Sequence, residues 1–105
     1  MSRGHAIPPN ASSFSLSTSS SATLVSAGAN LRGVWLHQVC LFCNSSAAAT
    51  AATSMRFGNF HILRAAGTNS TTVLPYPMFL PPGVALTIDS NDANNCAAEG
   101  RYSLL

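Results

Sequence analysis

Turn-forming residues interrupt this chain roughly every ten positions, and the stretches between them read as β-strands. Pro8-Pro9, Gly28-Ala29-Asn30, Gly67-Thr68-Asn69, Pro81-Pro82-Gly83 and the polar run 89–95 are the main breaks. Residues 1–13 read as an extended arm, because Pro8-Pro9 disfavours helix and favours polyproline II. Short apolar/polar alternation at Phe14-Ser15-Leu16-Ser17 and Thr23-Leu24-Val25-Ser26 predicts edge strands. The strongest strand signal covers residues 31–43, and a second covers 55–64. Between them, residues 44–53 form a Ser/Ala/Thr linker with room for one helical turn at Ala47-Ala48-Ala49. Further strands are predicted at 71–74, 84–88 and 97–103. Residues 75–80 must be an edge or irregular strand, since Pro75 and Pro77 cannot donate to a ladder. The expectation is an arm over 1–13 and one all-β sandwich or barrel over 14–105, with seven or eight short strands.

Pairing the two strong strands as an antiparallel hairpin centred on Ala49 sorts their side chains into two faces. One face carries Trp35, His37, Val39, Leu41 and Cys43 opposite Leu63, His61, Asn59, Phe57 and Met55. The other carries Val34, Leu36, Gln38, Cys40 and Phe42 opposite Arg64, Ile62, Phe60, Gly58 and Arg56. The uncharged first face reads as core. The second holds two arginines among large apolar groups and reads as a subunit interface, because free surfaces seldom carry so many. Leu36, Gln38, Phe42, Arg56, Phe60, Ile62 and Arg64 are therefore candidate contact residues, with Pro8 and Pro9 of an arm that could reach a neighbour.

Composition points the same way. The 105 residues include five Arg, no Lys, two Asp and one Glu, so 8% are charged, against roughly a quarter in an ordinary soluble domain. Ala, Ser, Thr and Asn fill the deficit. Without lysine there is no Walker-type phosphate loop, no Schiff-base amine and no Ser-x-x-Lys nucleophile. Scattered arginines giving a net +2 do not make a nucleic-acid footprint. Neither charge-free stretch, Gly33 to Met55 or Ala65 to Ile88, supplies about 20 continuous apolar residues, and the N-terminus lacks the apolar core of a signal peptide. The expectation is a soluble protein that binds neither nucleic acid nor membrane, with a surface suited to assembly.

Candidate chemical sites compete with plainer readings. Cys40, Cys43 and Cys96 make an odd count, which suits small buried hydrophobes in a reducing compartment; a disulfide from Cys96 to Cys40 or Cys43 is the alternative. In the proposed register His37 and His61 face each other, which is half of a zinc site, with Cys43 as a third ligand. The plainer reading is two half-buried histidines bonded to backbone. Cys40-x-x-Cys43 resembles half a zinc knuckle, but residues i and i+3 of a strand point to opposite faces. The run Asp89-Ser90-Asn91-Asp92 lacks the ligands of a calcium loop at positions five, six and twelve, where Ala93, Asn94 and Gly100 stand. There is no Gly-x-Ser-x-Gly elbow, and all three acids lie within residues 89–99. The reading is a non-enzymatic chain without metal or cofactor.

Two segments carry a family resemblance: Ser21-Ala-Thr-Leu-Val-Ser-Ala-Gly-Ala-Asn-Leu-Arg-Gly-Val34, and Thr72-Val-Leu-Pro-Tyr-Pro-Met-Phe-Leu-Pro-Pro-Gly-Val-Ala-Leu86. Together they resemble small β-rich structural proteins of tailed-bacteriophage virions, in which a strand leads through a Pro-x-Gly corner into another. The resemblance spans about residues 14–105. It implies a jelly-roll-like fold and a homo-oligomeric, often trimeric, capsid decoration or cement protein that clamps neighbouring major capsid subunits on the virion surface. The competing expectation is a tail-associated or lectin-like module that binds host glycan through Tyr76, Tyr102 and residues 91–95.

Overall fold

In a computed structural model of the chain, residues 7–17, 21–44, 52–67, 69–91 and 94–105 are described, and they form nine strands and no helix. The first sheet contains β1 (Ser12–Leu16), β9 (Cys96–Leu104) and β3 (Val34–Cys43). The far edge of β3 is shared by β6 (Ser70–Val73) and β7 (Met78–Leu80). The second sheet runs β2 (Ala22–Val25), β8 (Leu86–Ser90), β4 (Ala52–Phe57) and β5 (Phe60–Ala66). Every pairing is antiparallel. The inner faces close on one core, so the fold is an all-β sandwich-like domain. Leu36, Leu41, Met55, Leu86 and Ile88 lie at its centre. Full burial of each such side chain contributes about 1.5–3 kcal/mol.

Two sequence expectations are corrected. The strand expected at 55–64 is a hairpin, β4 and β5, joined by Gly58-Asn59. Gly58 has φ +63° while Asn59 stays outside the left-handed region, the pattern of a two-residue type II′ turn. This hairpin does not pair with β3. The ladder of β3 is instead filled on one side by β9, from Val34↔Leu104 to Cys43↔Cys96, and on the other by β6 and β7. Two factors favour the observed arrangement: a two-residue loop closes at less entropic cost than a long linker, and β9 nearly matches β3 in length. The candidate helical turn at Ala47-Ala48-Ala49 lies outside the described residues.

The faces of β3 also differ from simple alternation. The register against β9 shifts between Leu36 and Gln38, leaving His37 as the extra residue of a β-bulge. Val34 and Leu36 therefore face the core before it, and Val39, Leu41 and Cys43 after it. Opposite the bulged segment Gly100 leaves space for Phe14 of β1. A Cβ there would stand 2.3 Å from the Gln38 carbonyl oxygen and 2.9 Å from the Phe14 ring.

Asn30 joins the two loops at one end of the sandwich. It is buried; its Nδ2 donates to the carbonyls of Pro81 and Val84, both at 2.9 Å, and its Oδ1 accepts from Gly33 N at 2.9 Å. Its own carbonyl accepts from Gly83 N at 2.8 Å. The Pro-Pro-Gly corner is thus held in place by a residue fifty positions earlier.

The cysteine reading is corrected as well. Cys43 and Cys96 form a disulfide across the β3–β9 ladder, with Cα atoms 4.1 Å apart, and Cys40 is free. Such a separation belongs to a non-hydrogen-bonded antiparallel pair, where side chains stand closest.

Asn30→Ala removes the partner of the buried Gly33 N–H and of the part-buried Pro81 and Val84 carbonyls, and chemical denaturation should show a loss of about 1–3 kcal/mol. Replacing Cys43 and Cys96 together with Ala should cost about 2–5 kcal/mol in the same measurement. Alkylation of the unfolded, unreduced wild type should label Cys40 alone.

Candidate interface on the outer face of the first sheet

The sandwich presents two outer faces of different chemistry. On the first sheet the outward pairs of the β3–β9 ladder are Phe42–Ala97, Cys40–Glu99, Gln38–Arg101 and Trp35–Ser103. Val73 stands beside Cys40 and Phe79 beside Trp35 on the other edge. Ser15 and Ser13 stand beside Glu99 and Arg101. Phe42 is 40% exposed, Phe79 48% and Val73 58%. Trp35 and Phe79 pack with ring centroids 6.0 Å apart. Strand pleating explains the grouping: once the bulge has reversed the phase of β3, Gln38, Cys40 and Phe42 join Trp35 on the outside.

The outer face of the second sheet is polar. Ser54 and Arg56 of β4 point outward between Asp89 of β8 and Arg64 and His61 of β5, and these residues with Ser21 and Asn91 line a shallow depression of about 420 Å³. Arg56 donates through Nε to Asp89 Oδ2, and its Nη2 lies 3.4 Å from Oδ1, while Ser21 donates to the same carboxylate. Arg56 Nη1 also reaches the Gly58 carbonyl at 3.3 Å, tying the ion pair to the hairpin turn. Burial alone would push the Asp89 carboxyl up; hydrogen bonds from Ser21 and Arg56 and the charges of Arg56 and His61 more than offset it, holding the group below its ordinary value.

The nine contact residues expected from the sequence do not share a face. Leu36 is fully buried, because the bulge turns it inward; it cannot touch a partner. Gln38 and Phe42 lie outward on the first sheet. Arg56 and Arg64 do share a face, but on the second sheet, and Arg56 is engaged by Asp89. Phe60, 78% exposed, stands at the hairpin end of β5, and Ile62 is half-buried against the core where the β4–β5 register shifts. Pro8 and Pro9 precede β1, in a turn where Ala11 N donates to the Pro8 carbonyl at 3.1 Å.

The other candidates separate too. His37 is buried in the first sheet, its Nε2 2.8 Å from Ser103 Oγ, while His61 lies outward on the second, so the facing pair does not form. Cys40 and Cys43 point to opposite faces, as strand geometry requires. Among the described residues no group of three or more His, Cys, Asp or Glu is placed to hold a metal. Asp89 and Ser90 belong to β8; Asp92 and Ala93 of the calcium-like run lie outside the described residues. Tyr102 turns inward opposite Leu36 and packs on Phe14, whereas Tyr76 is exposed in the connection between β6 and β7. They do not make one platform.

Sequence reasoning missed Trp35, Val73, Phe79, Glu99 and Arg101 as surface partners. The alternation Ala97, Glu99, Arg101, Ser103 against Cys96, Ala98, Gly100, Tyr102 was a readable sign that β9 carries one outward face. No known protein family, no curated protein and no solved structure matches this chain.

Asp89 links this geometry to pH. A carboxyl held low in the folded state stabilises it above the unfolded value, and that contribution disappears as pH falls through the folded one. Wild type should exceed Asp89→Asn in stability by up to about 1 kcal/mol near neutrality. The two should converge below about pH 4, as read by denaturation across pH.

Proposed function

We propose that this chain is a non-enzymatic structural protein of a virion, a capsid decoration protein that self-associates and clamps neighbouring major capsid subunits. The observation that carries this reading is the outer face of the first sheet, where Phe42, Val73 and Phe79 are exposed and Trp35 is half-buried against Phe79. Surfaces of this kind on small domains serve as protein contacts. The scarcity of charge supports it, because a near-neutral Ser/Ala/Asn surface does little to keep copies apart. The Cys43–Cys96 disulfide supports residence at an oxidising location, of which the exterior of a particle is one. The resemblance of residues 21–34 and 72–86 to phage structural proteins supplies the virion context. In this reading the first sheet's outer face makes the contacts between copies, while the exposed segment around Pro9 and the hairpin end at Phe60 are free for the capsid.

The test combines a particle and a variant. Purified wild-type chain should associate in solution and co-sediment with capsids lacking their decoration. Phe42→Asp with Val73→Asp should abolish self-association, read by analytical ultracentrifugation, while circular dichroism stays unchanged. A wild type that stays monomeric and leaves capsids bare sinks the reading.

A further inference from the structure

We propose that two copies of this chain stack face to face through their first sheets, about a two-fold axis that crosses β3 and β9 between the Gln38–Arg101 and Cys40–Glu99 pairs. This rests on the assembly reading above and adds the partner, the symmetry and the pairing. Glu99 and Arg101 are two residues apart on one strand, so both side chains leave the same face about 6.7 Å apart. Among the described residues the sole ion pair is Arg56–Asp89 on the other sheet. Among the described residues, Glu99 and Arg101 stand side by side at the middle of the outer face, flanked by Ser13, Ser15, Gln38 and Cys40, neither in an ion pair.

An in-plane two-fold satisfies both. A rotation that reverses strand direction places Glu99 of one copy over Arg101 of the other, and the symmetry repeats the pair. The same operation sets Cys40 over Gln38, Ser15 over Ser13, and Ala97 over Ser103. It brings Phe42, at one end of the ladder, over Trp35 and Phe79 at the other, so the exposed rings cover each other. A translation along the strand, or a head-to-tail contact, would meet acid with acid or leave both charges buried without a partner, which is costly. Four strands abreast and ten residues of β3 give a face on the order of 600 Å² in plan. That is close to the ~800 Å² per partner of a standard interface. The right-handed twist of each sheet sets such stacks about 30° apart, which still lets central pairs meet.

Reciprocity supplies the experiment. Glu99→Arg creates two Arg–Arg contacts across the axis and Arg101→Glu creates two Glu–Glu contacts, so each variant alone should dimerise at least tenfold more weakly by sedimentation velocity. Mixing the two at equal concentration should restore a dimer of wild-type strength, because each Arg of one then meets a Glu of the other. The double variant Glu99→Arg with Arg101→Glu should also recover. Rescue by mixing cannot come from repaired folding within one chain, so it reads the contact itself. Single variants that associate as wild type, a mixture that stays monomeric, or a wild-type trimer would overturn the two-fold. If Phe42→Asp with Val73→Asp still disperses the oligomer in those cases, the assembly reading survives; if neither set of variants disperses it, that reading falls too.

Discussion

The bulge at His37 decides what this molecule shows to its surroundings. One extra residue in β3 reverses the phase of the strand, so that Val34 and Leu36 enter the core on one side of it and Val39, Leu41 and Cys43 on the other. Without it, either the first or the second half of β3 would turn its aliphatic residues to solvent. The bulge is held by features from three strands: Gly100 of β9 has no side chain, Phe14 of β1 fills that space, and His37 bonds to Ser103. Each is a modest contribution alone. Together they fix the phase on which both the core and the outer aromatic face depend.

Much of the architecture was legible. Turn residues at Gly28–Asn30, Pro81–Gly83 and Gly67–Asn69 bracket strands within a few residues of those observed, and the prolines at 75 and 77 do confine their segment to an edge. Such features act locally, through φ angles and missing N–H groups, and so are readable in one sequence. What escaped is non-local. Nothing within residues 31–43 signals that β9, more than fifty positions later, is their partner, and a bulge is set by that partnership. Gly58-Asn59 was a local signal overlooked because Phe57 and Phe60 made the run look continuous. Asn30 looked like ordinary turn material; its role depends on carbonyls fifty residues away.

The same limit explains the mixed outcome at the candidate site. Arg56 and Arg64 share a face by a route other than the one expected: they stand on the two arms of the β4–β5 hairpin, not on one strand facing β3. Leu36 was misplaced, since only the ladder to β9 reveals its direction. The two outer faces treat charge differently: on the second sheet Arg56 and Asp89 neutralise each other within one copy, beside Arg64. The first sheet keeps its acid and base apart.

The proline interruption between β6 and β7 has a consequence beyond shortening a strand. An uninterrupted strand there would expose a full row of backbone donors and acceptors along the rim of the sheet whose flat side bears Phe42, Val73 and Phe79. Sheets of that kind grow sideways into ribbons, one molecule hydrogen-bonding to the next without end. Splitting the rim at Pro75 and Pro77 leaves two short pieces with a bend between them. Growth by lateral strand addition along this rim is thereby discouraged.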